Sequence, residues 1–115
     1  MRATSRRRAN GSPRKPYPPV LDGGDARQGK LLLAQYQCGS CHRIPDVEAA
    51  GGRSGPSLAE FARRSYIAGR WPNRQATLVQ WVSAPRSMDP ATIMPDMGVS
   101  AEDARHIAAY LYSLE

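Results

Sequence analysis

The chain has 115 residues and a formal charge of +6, a length that fits one domain with a modest core. The whole excess lies in residues 1–21, where Arg2, Arg6, Arg7, Arg8, Arg14 and Lys15 meet no acidic residue; from Asp22 onward ten basic residues face ten acidic ones. A folded part without net charge, lacking a basic stripe with interleaved aromatics, excludes a nucleic-acid-binding face, and no stretch approaches the roughly 20 apolar residues of a membrane span.

Residues 1–22 read as a disordered basic tail or linker: arginines first, then Pro13, Pro16, Pro18 and Pro19, with no apolar periodicity. The proline run is extended and somewhat stiff in such a reading. Its plain role is that of a linker or leftover leader, and its sharper one is electrostatic docking to an acidic partner or anionic lipid. The folded domain is assigned to residues 23–115.

Asp25 opens the first predicted helix as N-cap, with Gln28 completing a capping-box-like pair. Leu32, Leu33 and Tyr36 supply its apolar face. Gly29 inside it costs about 1 kcal/mol relative to alanine, so it implies close approach of another backbone.

Cys38-Gly39-Ser40-Cys41-His42 follows, holding both cysteines and one of the two histidines. Cys-x-x-Cys-His is the attachment signature of a c-type haem. Thiols three residues apart share one turn, where each can form a thioether to a porphyrin vinyl group, and the adjacent imidazole becomes the proximal ligand. Gly39 and Ser40 are small enough for the backbone to lie near the ring edge. Half a zinc site lacks two further ligands of quality, with only His106 besides carboxylates. A thioredoxin-like pair wants a strand–helix–strand context, and the chain shows no convincing strand. A disulfide across this spacing closes almost no loop. The reading is therefore one covalently bound haem c.

Gly51, Gly52 and Gly55 mark a flexible loop after the motif. Ser57-Leu58-Ala59-Glu60 is a capping-box pattern for a brief helix through Phe61 to about Arg64. Arg63, Arg64, Tyr66, Arg70, Trp71 and Arg74 cluster next. Arginine suits bidentate carboxylate contact, and Tyr or Trp gives a hydrogen bond from an apolar body, so Tyr66, Arg70 and Trp71 are candidates for the haem propionates. The plain alternative is a solvated turn. Asn73 can cap a helix through Leu78, Trp81 and Val82, which Pro85 ends.

Pro85 to Gly98 reads as a Met- and Pro-rich loop with little regular structure. A soft thioether at the sixth iron position raises the potential, where a second histidine lowers it. Of Met88, Met94 and Met97, Met94 is the candidate, because Pro95 fixes the chain direction just after the sulfur. Met97 is assigned as a core gap-filler, Met88 as a partly exposed loop residue, and His106 as a solvated surface histidine. The last helix is capped by Ser100, carries Glu102 and Asp103 in its first turn, and presents Ala104, Ile107, Ala108 and Leu111 as one stripe. It is the expected partner of the first helix.

Cys38-Gly39-Ser40-Cys41-His42, Gly55-Pro56-Ser57-Leu58, Met94-Pro95 and Ala108-Ala109-Tyr110-Leu111, in this order, resemble the class I c-type cytochromes over residues 23–115. The resemblance implies an all-α cytochrome c fold, three to five short helices wrapped around one covalently attached haem. It implies that the Pro56 carbonyl accepts a hydrogen bond from His42 Nδ1, and that Gly29 crosses Tyr110 and Leu111. Gly29 stands nine residues before Cys38, one more than the common pattern, which leaves Leu33 or Tyr36 as the packing partner. The implied function is single-electron transfer between respiratory or periplasmic redox partners, with His42 and Met94 bound in both iron states. The implied location is the periplasm or the outer face of the bacterial inner membrane. No signal-peptide core follows the N-terminal arginines, so the start reads as processed, truncated or re-engineered. No general acid, base or nucleophile constellation marks an enzyme. The competing readings are a haem c subunit or domain of a larger dehydrogenase or terminal oxidase, and a haem-based ligand sensor. Association with a membrane complex would run through a partner or the basic tail.

Overall fold

The computed structural model describes residues 23–115; the basic, proline-rich segment 1–22 lies outside the described residues. Four helices follow in order: α1 (Ala26–Gln35), α2 (Gln75–Ser83), α3 (Pro85–Met88) and α4 (Ala101–Tyr112). Between α1 and α2 lie two single 3-10 turns, Cys38–Ser40 and Phe61–Arg63, and a two-residue hairpin in which β1 (Tyr66–Ile67) pairs antiparallel with β2 (Trp71–Pro72).

The frame is the crossing of α1 and α4. Asp25 caps α1 through Oδ1, which accepts from the N–H groups of Arg27 (2.8 Å) and Gln28 (3.3 Å). Ser100 caps α4 by accepting from the Asp103 N–H. Each cap satisfies donors that a helix start leaves unpaired. Gly29 is where the helices meet, for a Cβ built there would stand 1.9 Å from the His106 carbonyl oxygen. Leu32 and Leu33 from α1 and Ala104, Ile107, Ala108 and Leu111 from α4 are all buried in one apolar cluster. Leu33 supplies the buried body of the crossing. Tyr36 is half-buried beside it and ties across, its hydroxyl donating to Asp103 Oδ2 at 2.7 Å.

Several local expectations give way to longer-range partners. The reciprocal half of the α1 capping box is absent, because the Asp25 N–H donates to His106 Nδ1 (2.9 Å) rather than to Gln28. His106 is accordingly half-buried at the helix crossing, not a freely solvated residue. Ser57 does not open a helix. Its Oγ accepts from the Ala59 N–H two residues on (3.2 Å), and Glu60 takes a left-handed conformation (φ 57°) before the Phe61–Arg63 turn. Asn73 does not cap α2; Arg74 occupies that position without a side-chain bond. The Asn73 amide instead donates to the carbonyls of Arg64 (3.1 Å) and Phe61 (3.4 Å), while its Oδ1 accepts from Tyr112 (2.7 Å). Pro85 ends α2 as expected, but it also begins the single turn of α3, where its missing N–H costs nothing. The hairpin is the strand element that sequence reading missed.

Candidate functional site

The motif Cys38–His42 is delivered by the end of α1. After Tyr36, Gln37 turns left-handed (φ 60°), and Cys38–Ser40 then winds into a 3-10 turn with the N–H groups of Cys41 (3.2 Å) and His42 (3.1 Å) both donating to the Cys38 carbonyl. Cys38 and Cys41 thus share one turn, both as free thiols, the first half-buried and the second exposed. Burial pushes the Cys38 thiol up from its ordinary value, with a smaller contribution from Cys41. Gly39 has a further reason to be small. It packs on Ala50, whose Cα and Cβ would lie 2.5 Å from any Cβ at this position.

His42 is oriented from outside its own turn. Its Nδ1 lies 2.7 Å from the Pro56 carbonyl oxygen. A carbonyl only accepts, so the hydrogen sits on Nδ1 and the Nε2 lone pair is left for a metal. Gly55 lies flat against the ring, where a Cβ would approach Cε1 to 2.5 Å and Nδ1 to 2.8 Å. The glycine-marked segment is not a loose loop, being stitched down by Gly52 N–H to Gly39 O (2.9 Å), Gly55 N–H to Cys41 O (2.7 Å) and Leu58 N–H to Arg43 O (2.8 Å). Tyr110 of α4 ties down the chain just after His42, its hydroxyl donating to the Pro45 carbonyl at 2.6 Å.

These residues fit a covalently held haem. Two reduced thiols lie on one turn, an imidazole presents Nε2, and the glycine under the ring admits no side chain that would displace it.

The second set of candidates shares the hairpin. Tyr66 is exposed and Trp71 half-buried. The Arg70 guanidinium carbon stands 4.6 Å from the centre of the Trp71 ring, and Trp71 in turn packs on Trp81 of α2 at 5.5 Å. Arg70 Nη1 also pairs with Asp89 Oδ2 at 3.5 Å. Met94 is half-buried, with its N–H held by Thr92 Oγ1 (3.2 Å). Thr92 and Asp89 link it to the hairpin set. Met97, expected in the core, is 45% exposed, and Met88 lies half-buried in α3.

Sequence reasoning missed Asn73, Tyr112 and Gly55 as organisers of the site. Only Gly55 carried a signal, in being followed by Pro56 after the motif. Asn73 and Tyr112 are 39 residues apart and no local pattern connects them.

An all-helical frame around a Cys-x-x-Cys-His turn, with its imidazole bonded to a proline carbonyl, defines a c-type cytochrome domain. Residues 26–115 match the profile of the family described as Cytochrome c, and the chain belongs to that family. Membership of that family implies one covalently bound haem c. Among curated proteins it is 33% identical over 91 residues to cytochrome c oxidase subunit 2 of Alkalihalophilus pseudofirmus, covering 78% of this chain and 26% of that protein. It is 29% identical over 100 residues to cytochrome c oxidase subunit 2 of Bacillus subtilis, covering 85% and 28% respectively. The chain thus spans about a quarter of the length of these relatives. Among solved structures, cytochrome c2 from Rhodobacter sphaeroides matches with a TM-score of 0.53 at 21% identity, covering 80% of this chain and 97% of the other. That likeness establishes the shared fold. Among the described residues no helix is long and apolar enough to cross a membrane.

Proposed function

We propose that residues 23–115 form a carrier domain passing single electrons between respiratory redox proteins, with Cys38 and Cys41 as the thioether sites. With haem c bound, His42 through Nε2 and Met94 through its thioether would hold the iron. Haem c bound here supplies a one-electron Fe(III)/Fe(II) couple. Pro56 fixes the tautomer of His42 and, by accepting its Nδ1 hydrogen, makes Nε2 the better donor. Gly55 keeps the ring seated. Met94, ahead of the rigid Pro95, offers a thioether that favours the reduced iron. Tyr66, Arg70 and Trp71 would offer polar groups to the haem propionates, Arg70 while also pairing with Asp89. The observation that carries the reading is the 2.7 Å contact between His42 Nδ1 and the Pro56 carbonyl, beside two free thiols on one turn. The place of action is the periplasm or outer face of a bacterial inner membrane, since donors and acceptors for such a domain meet there. Residues 1–22, basic and proline-rich, act as its tail or linker.

The test is a redox titration of the haem-loaded protein with carbon monoxide added to the reduced form. A single one-electron step, a far-red sulfur-to-iron band when oxidised, and carbon monoxide binding no faster than slow release of the thioether support the carrier. Ready carbon monoxide binding by the unaltered protein contradicts it and favours a ligand sensor.

A second reading has its own support: two oxidase subunit 2 relatives match this chain across only about a quarter of their length. In it, the chain is the haem c domain of a larger terminal oxidase. Detergent extraction of the native membranes decides between them, because the haem c signal then runs with a high-mass oxidase complex and not as a small free protein.

A further inference from the structure

Arg70, a candidate for the haem propionates, also has two partners within the fold, Asp89 and the Trp71 ring. Asp89 has a second task. Its Oδ1 accepts from the Ala91 N–H at 3.0 Å, and its own carbonyl accepts from the Thr92 N–H at 3.0 Å, which winds residues 89–92 into a closed turn. Thr92 continues the chain of bonds, because its Oγ1 holds the Met94 N–H. On the far side of Pro95, Asp96 Oδ1 accepts from the Arg86 N–H at 3.2 Å and ties the returning chain to α3. The Met94–Pro95 step is thereby clamped from both directions, and one carboxylate links the clamp to the hairpin.

We infer that Arg70 and Asp89 are positioning residues for Met94: the pair locks the 89–92 turn against the hairpin and sets how readily the Met94 thioether leaves the iron. The inference rests on Met94 being the axial ligand. Arg70 has a side chain 59% exposed and Asp89 one 27% exposed, so the Coulomb attraction alone is weak. The larger effect lies in Asp89 serving the turn and the ion pair with different oxygens. A short polar residue accepting a bond from two residues on is a local turn former, and fixing that turn lowers the entropy released when Met94 departs.

The experiment measures the carbon monoxide binding rate of the reduced, haem-loaded protein, which is limited by Met94 release. Asp89→Asn keeps an acceptor for Ala91 while removing the charge, and Arg70→Gln removes the other half of the pair. Each is expected to raise the rate roughly two- to fivefold, the scale of an exposed ion pair. The double variant is expected to match either single one, since the two act as a unit. Asp89→Ala loses both bonds and is expected to raise the rate about tenfold or more. Thr92→Val is expected to speed amide exchange at Met94. Unchanged carbon monoxide rates in Asp89→Ala, or a lowered melting temperature with no change in rate, overturn the inference. Met94→Ala serves as the reference. If that variant retains the far-red band, the ligand assignment itself fails; if it loses the band while Asp89→Ala stays like the parent, only the positioning role fails.

Discussion

The α-carbon of Gly29 rests so close to the carbonyl of His106 that a Cβ would stand 1.9 Å from the oxygen and 2.5 Å from the carbon. Both obstacles are backbone, so no side-chain rotation relieves them. The crossing of α1 and α4, and through it the direction in which α1 delivers Cys38, depends on that missing atom.

Gly29→Ala is therefore expected to destabilise the haem-loaded protein by about 2–3 kcal/mol or more, despite a helix-propensity gain of about 1 kcal/mol. Gly51→Ala is the contrast, since nothing lies within 4 Å of a Cβ there, and it is expected to be neutral within about 0.5 kcal/mol. Guanidinium midpoints at constant slope check both.

Gly55→Ala places a Cβ 2.5 Å from His42 Cε1. The imidazole must tilt, which weakens its bond to the Pro56 carbonyl. A lower yield of haem-loaded protein and altered paramagnetic shifts of the proximal ring are expected; an unchanged proton NMR spectrum contradicts this.

Asn73→Ala is expected to cost about 2–3 kcal/mol, because it strips a partner from the buried Tyr112 hydroxyl and from two loop carbonyls. Tyr112→Phe is expected to cost less, removing the hydroxyl with its bond. Thermal unfolding of the two variants and their double combination measures the coupling.

The helix frame was readable because its signals are local. A Ser or Asp cap, a glycine out of place and an i, i+3, i+4, i+7 stripe all lie within one element. The motif was readable because covalent attachment demands a fixed spacing. What escaped reading was decided at a distance. Asn73 lies one residue before the α2 cap position, which Arg74 takes, and is bonded instead to Arg64, Phe61 and Tyr112. Asp25 gives its N–H to His106, 81 residues on, and so leaves Gln28 without its half of the box. The β1–β2 hairpin has two residues per strand, too few for alternation to register. Arg70 could be placed in a basic cluster, but Asp89 is brought to it only by folding.

Alkaline stability follows from the tyrosines. Burial raises the hydroxyl pKa of Tyr112 and of Tyr110, the latter with a smaller push from Asp46. A folded pKa above the unfolded one means that the native state keeps protons which the unfolded chain has lost. Stability is thus complete below the unfolded value of about 10 and declines as pH rises beyond it. Tyr112→Phe is expected to flatten that decline between about pH 10 and 12, as read by urea unfolding at a series of pH values.

Attachment of one haem through Cys38 and Cys41 is read from the pyridine haemochrome spectrum of denatured protein from a host able to attach haem c. The expected spectrum is that of a porphyrin with both vinyl groups saturated by thioethers, its haem not extractable by acidified solvent, and it is lost in the Cys38→Ala/Cys41→Ala protein. A colourless product that still folds compactly, or one whose haem extracts freely, contradicts that attachment.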